Sequence, residues 1–123
     1  MTIRYEIDVE AGIVISWLSD TVTEDDLRKF QRTLANDPKF GGSFDALVDL
    51  TGVTNFDVTS NGNIRLARTT PYTSGSRRAY VAVEDTPYGM SRLYSVRAER
   101  PDQDVRAFRN MEDARAWLGI RKT

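Results

Sequence analysis

The 123 residues include no histidine and no cysteine, and this limits the chemistry open to the chain. A serine-histidine-aspartate triad, a cysteine nucleophile and the usual zinc ligand sets all need residues it lacks. There is no G-x-x-x-x-G-K-[ST] phosphate loop, no G-x-G-x-x-G turn and no EF-hand spacing, so no cofactor and no metal is expected. Carboxylates and hydroxyls remain. Asp49, Asp57, Glu84 and Asp85 lie in or after apolar segments that read as strands, and open α/β sheets hold their ligands at the carboxyl ends of strands. Carboxylate-only catalysis or magnesium binding would draw on these four. Simpler duties also account for them: Asp49 beside Thr51-Gly52 can organise a turn, and Asp85 suits the first turn of a helix. A further candidate is the acid-free stretch 58–83, which carries Arg65, Arg68, Arg77 and Arg78 around Thr69-Thr70-Pro71-Tyr72-Thr73-Ser74-Gly75-Ser76. It reads as a solvated surface loop, with a mobile anion-binding loop as the alternative. Trp17 and Trp117 are expected in the core.

The elements that must position these groups are marked along the chain. Residues 3–10 alternate strictly, with Ile3, Tyr5, Ile7 and Val9 on one face, the pattern of a half-exposed strand. The turn Glu10-Ala11-Gly12 leads to a second strand over 13–18, predicting an antiparallel hairpin. Thr23 is a good N-cap for a helix over 24–36, with Glu24, Asp25 and Asp26 in its first turn and Val22 placed to staple against Leu27. Asp37-Pro38 ends it. Ala46-Leu47-Val48-Asp49-Leu50 reads as a strand with both faces buried, ending at Thr51-Gly52. A short, weak helix follows from about Thr59 through Ile64 and Leu66.

Ala79-Tyr80-Val81-Ala82-Val83 is a second buried strand, and Thr86-Pro87 supplies an N-cap with proline at the first helical position. In the helix beyond, Met90, Leu93, Tyr94 and Arg97 share one side, and Pro101 stops the run. Residues 104–109 form a last strand. Asn110 caps a last helix with Met111, Ala114, Trp117 and Leu118 inward and Gly119 as its stop. The order β, β, α, β, α, β, α, β, α predicts an α/β fold in one domain spanning residues 1–123: a mixed sheet with an antiparallel N-terminal hairpin, parallel βα units and four helices.

The net charge of −1 divides unevenly, with 11 acids against 5 bases in residues 1–62 and 7 acids against 12 bases in residues 63–123. Folding interleaves these halves and should cancel most of the field. A pI near 5.4 does not indicate nucleic-acid binding. No apolar run approaches the ~20 residues that span a bilayer, and the amino-terminal segment lacks the basic start and apolar core of a secretion signal. A cytoplasmic location is expected.

The order of elements resembles the STAS-like or SpoIIAA-like superfamily, the fold of bacterial anti-sigma-factor antagonists. The resemblance covers nearly the whole chain. Its local carriers are Val83-Glu84-Asp85-Thr86-Pro87-Tyr88-Gly89-Met90-Ser91-Arg92 and the ending 108–119, both similar to uncharacterised stand-alone bacterial members. In the antagonists a strand ends in a D-L-S-like motif and leads to D-S-S-G, whose second serine is phosphorylated. Here Asp49-Leu50-Thr51 and Asp57-Val58-Thr59-Ser60 stand in those places, with Val58 for the first serine and Ser60 for the glycine. The resemblance thus implies a non-enzymatic regulatory or binding module, active alone or as a homodimer. It would bind a protein partner or small ligand through Asp49, Thr51, Asp57, Thr59, Ser60, Tyr88 and Met90, with Thr59 as the phosphorylation candidate. It also allows a second role, carriage of a small hydrophobic or lipid-like ligand between sheet and helices, lined by Phe56, Met90, Leu93 and Tyr94.

Overall fold

The alternating segments at the amino terminus pair as expected. In the computed structural model, which describes residues 3–98 and 102–120, β1 (Ile3–Asp8) and β2 (Ile13–Thr23) form an antiparallel hairpin that matches Ile3 with Leu18 and Ile7 with Val14. The remaining strands, β3 (Asp45–Asp57), β4 (Arg77–Val81) and β5 (Asp104–Phe108), run parallel to β2 in the sheet order β1-β2-β3-β4-β5. A strand order that follows the chain, joined by right-handed crossovers, must put every connecting helix on the same face. Those helices are α1 (Glu24–Ala35), α2 (Ser60–Arg68) and α3 (Asp85–Ala98). The helix after the last strand, α4 (Met111–Leu118), packs on the opposite face.

The caps follow the sequence. Thr23 and Asp26 close a capping box on α1, Thr59 accepts from the Gly62 amide at 3.0 Å, and Asn110 accepts from the Asp113 amide at 2.8 Å. Gly119 ends α4 in the left-handed region at φ 74°. Val22 is fully buried in the cluster that also holds Leu27, as a staple requires.

Four expectations are corrected. The strand expected to stop at Thr51-Gly52 continues to Asp57, and β2 runs on beside it to Thr23. Register shifts after Trp17 and after Asp20 insert extra residues into β3, so the two strands bend together instead of separating. Gly52 sits at the first irregularity, where a Cβ would come within 3.3 Å of the Leu18 carbonyl oxygen. Cross-strand pairing therefore overrides a local turn signal. Second, α3 begins at Asp85, and the Tyr88 amide bonds the Glu84 carbonyl at 3.0 Å, so Pro87 is the third helical residue rather than the first. Third, the buried stripe of α3 is Pro87, Ser91, Tyr94 and Ala98, rotated from the expected Met90-Leu93-Tyr94-Arg97 side. Strand β4 also lies two residues earlier than its apolar run suggests, and Pro101 lies outside the described residues.

Candidate functional site

Side chains on the α1–α3 face do not fill the space between sheet and helices. A cavity of about 90 Å³ remains there, room for several waters or one small organic molecule, since a single water needs ~10–15 Å³. Its floor is the sheet, through Leu18, Val48, Leu50 and Tyr80. Leu27, Phe30 and Leu34 of α1 form one wall, Leu66 of α2 another, and Met90, Ser91 and Tyr94 of α3 a third. The lining is overwhelmingly apolar. The cause lies in the sequence: α3 turns Ser91 and α2 turns Asn63 toward the cavity, and neither side chain fills the space.

The rim is fastened by hydrogen bonds. Gln31 of α1 donates to the Leu66 carbonyl at 3.0 Å and accepts from the Thr69 hydroxyl at 2.7 Å, tying α1 to the end of α2. The segment after α2 is equally pinned: the Thr73 amide bonds the Gly42 carbonyl at 2.8 Å, the Gly75 amide bonds the Asp102 carbonyl at 2.7 Å, and the Ser74 hydroxyl donates to the Asp102 carboxylate. The arginines of this region do not converge on an anion site. Arg65 forms a bidentate pair with Glu24, and Arg77 pairs with Asp45 while capping the α4 carbonyls of Trp117 and Leu118.

Arg78 is different. Its side chain is fully buried, donates to the Thr70 hydroxyl at 2.7 Å and to the Gln103 side-chain oxygen at 3.2 Å, and lies 4.8 Å from the Tyr72 ring centroid. Among the described residues no carboxylate pairs with it, and its Nε has no hydrogen-bond partner. Burial also raises the Tyr72 and Tyr80 phenols well above their ordinary range, with Arg78 opposing the shift only in part. Both tyrosines stay neutral at the cavity wall.

Asn63 supplies the other notable polar group. It is 2 % exposed, its amide donates to the Met90 carbonyl at 3.2 Å, and its Oδ1 has no partner. Only the NH₂ side of the amide can face a carbonyl, so the unpaired atom is the oxygen.

Of the residues expected to bind, the structure brings Met90 to this cavity and leaves the others elsewhere. Asp49 and Thr51 lie mid-strand in β3, where Asp49 Oδ1 accepts from the Thr51 amide at 2.8 Å and hydroxyl at 2.6 Å. Register puts Asp49 beside Trp17 and Val81, on the α4 face. Asp57, Thr59 and Ser60 are exposed where β3 passes into α2. There the Glu24 carboxylate already occupies the helix terminus: a Cβ on Gly62 would meet its Oε1 at 2.6 Å and the Thr59 Oγ1 at 3.3 Å. Arg65 lowers the Glu24 pKa and keeps it ionised. Ser60 accepts from Arg97 through its carbonyl at 3.0 Å. Tyr88 carries the Arg109 guanidinium 3.9 Å from its ring centroid. Of the carrier residues, Phe56, Met90 and Tyr94 line the cavity and Leu93 does not. Trp17, expected in the core, is half-buried under the Arg4 guanidinium at 4.6 Å; Trp117 packs on Phe108, 5.7 Å between centroids.

Sequence reasoning missed Asn63, Tyr72, Tyr80 and Gln31. Asn63 was visible only as a residue that weakens a helix, although a polar residue one turn before Leu66 and Ala67 is where an inward-facing amide would stand. Among the described residues no cluster of three or more acids is placed to hold a metal, and no helix is long and apolar enough to cross a membrane.

No family model and no curated protein matches the chain. The solved structure of an uncharacterised protein of the DUF3478 family from Shewanella loihica PV-4, described as having a SpoIIAA-like fold, matches at a TM-score of 0.54 and 17% identity, covering 94% of this chain and 91% of that one. The fold is SpoIIAA-like. The likeness is one of fold alone.

Proposed function

We propose that this chain is a non-enzymatic binding module that takes a small, largely apolar ligand into the cavity between its sheet and α1–α3. The single observation that carries this reading is the cavity itself, bounded by the sheet and three helices and lined by leucine, phenylalanine, tyrosine and methionine side chains. Pre-formed apolar concavities with a few polar groups are the usual form of small-molecule sites.

The competing readings have less to stand on. A carboxylate enzyme would gather acids with raised pKa values, yet the shifted carboxylates, Glu24 and Asp37, are both lowered, by Arg65 and by the Lys39 amide respectively. A protein-binding surface would present a contiguous apolar patch near helix three. The exposed valines there are Val83 and Val96, separated along the helix axis by roughly 15 Å or more at 1.5 Å rise per residue. Phosphorylation at Thr59 would place a second anion against the Glu24 carboxylate.

The test is methyl-labelled NMR titrated with toluene, alongside native mass spectrometry of freshly purified protein. Saturable shifts confined to the cavity-lining methyls of Leu18, Leu27, Leu34, Val48, Leu50, Leu66 and Met90 are expected. Unmoved methyls together with only the apo mass would refute the reading.

A further inference from the structure

Strand β1 forms one edge of the sheet. It pairs with β2 on one side, and among the described residues no strand and no backbone hydrogen bond reaches its other side. We propose that β1 is the surface through which two copies of this chain associate, antiparallel about a two-fold axis at Tyr5, so that their sheets become continuous. The inference goes beyond ligand binding and does not depend on it.

In an antiparallel pair alternate residues turn their N–H and C=O groups away from the partner strand, and a row of such groups is a template for another strand. Proteins usually blunt such an edge with proline, lysine, a bulge or a short strand. The six residues Ile3–Asp8 contain no proline, glycine or lysine, and their register with β2 is unbroken. The opposite edge is built otherwise. There β5 has five residues, α3 packs against it, and Arg106 pairs with Asp104 of its own strand at 3.9 Å.

The charges of β1 choose both the partner and the register. A two-fold axis normal to the sheet keeps the helix-covered faces on one side and sets one residue opposite its own copy. An axis at Arg4 opposes two arginines, and an axis at Glu6 opposes two glutamates; like charges directly opposite are destabilising. An axis at Tyr5 sets Arg4 of each copy against Glu6 of the other and Ile3 against Ile7, so the row Ile3, Tyr5, Ile7 on the α1 side runs on into the same row of the second copy. Arg4 and Glu6 are exposed, and among the described residues neither forms an ion pair within the chain. Arg4 instead lies 4.6 Å from the Trp17 ring centroid. A contact of that kind is comparable in strength to a cross-strand ion pair, so exchanging one for the other costs little. The charges therefore fix the register, while main-chain bonds and the apolar row hold the copies together.

The experiment is sedimentation equilibrium of the full chain over a concentration series reaching the millimolar range, for the wild type, Arg4→Glu, Glu6→Arg and an equimolar mixture of the two variants. The wild-type mass should rise from 13.9 kDa toward twice that value. Each reversal alone places like charges at both symmetric contacts and should weaken association roughly tenfold or more. In the mixture every introduced charge faces an introduced opposite one, so wild-type affinity should return. A wild type that stays monomeric throughout overturns the proposal. A dimer indifferent to both reversals overturns the assignment to β1, and a mixture no tighter than its components overturns the Tyr5 register. Should a reversal not fold, hydrogen exchange of the wild type decides instead: the β1 amides that point away from β2 must gain protection as concentration rises, and exchange independent of concentration refutes the proposal.

Discussion

The two faces of the sheet are built from similar strands and finished differently. Under α4, Leu47, Ala79, Val81 and Ala114 each have 0 % exposure, and Leu118 closes the layer at 5 %. One short helix suffices because the residues it meets are small or branched and interlock. On the opposite face three helices cover the sheet and bury Val22 and Ala82 as fully, at 0 %, yet a cavity stays between sheet and helices. More covering structure has produced less complete packing. Volume at inward positions, not the number of helices, decides whether a face is filled.

Paired truncations break or sharpen this contrast most directly. Leu47→Ala should cost about 4 kcal/mol in chemical denaturation and Leu66→Ala about 2 kcal/mol, the two ends of the usual range for such changes. Leu47 is surrounded, whereas Leu66 faces a void on one side and has fewer dispersion contacts to lose. Equal costs, or the reverse order, would mean that the cavity face is packed as tightly in solution as the α4 face.

The second largest effect is alkaline. Burial raises the Tyr80 and Tyr72 pKa values in the folded chain, while in the unfolded chain both ionise near 10. Above that pH the unfolded state binds fewer protons than the folded state, so stability falls as pH rises. The loss is about 1 kcal/mol per such tyrosine between pH 10 and pH 11. Tyr80→Phe should remove its share of the slope. A profile identical to that of the wild type would show that Tyr80 ionises freely in the folded protein, and that the cavity wall is wet.

Much of this contrast was legible in the residues, and what was not has physical causes. Caps and alternation are local, so Thr23, Thr59, Asn110 and the β1–β2 hairpin stand where their neighbours place them. The course of β3 is not local: Thr51-Gly52 resembles a turn until β2 supplies the partner that carries the strand to Asp57. The face of α3 misled for a related reason. Its apolar residues point several ways, and the burial of Pro87, Ser91, Tyr94 and Ala98 decides which side faces inward. The cavity was the least legible feature, because it is made by what Asn63 and Ser91 fail to fill.

A smaller effect separates the edge of the helical layer from its interior. Thr59→Ala removes the N-cap bond to Gly62 and should cost about 1 kcal/mol. Thr59→Glu should lower the denaturation midpoint further, since its carboxylate enters beside that of Glu24. If Thr59→Glu matched or exceeded the wild type, Arg65 would be able to hold two acids at once, and the helix terminus would be open to phosphate after all.

The smallest effect belongs to the pair that first drew attention, Asp49 and Thr51. Thr51→Val removes the 2.6 Å hydroxyl bond to Asp49 but leaves the 2.8 Å amide bond in place. Thr51 is exposed, so water replaces the lost partner and the change should stay within about 0.5 kcal/mol. Asp49 then keeps its orientation from the backbone alone, as a carboxylate does when its task is to steady an irregular strand. A cost of 2 kcal/mol or more would show instead that the hydroxyl fixes the first β3 irregularity, and that the α4 face depends on this polar contact as well as on its apolar layer.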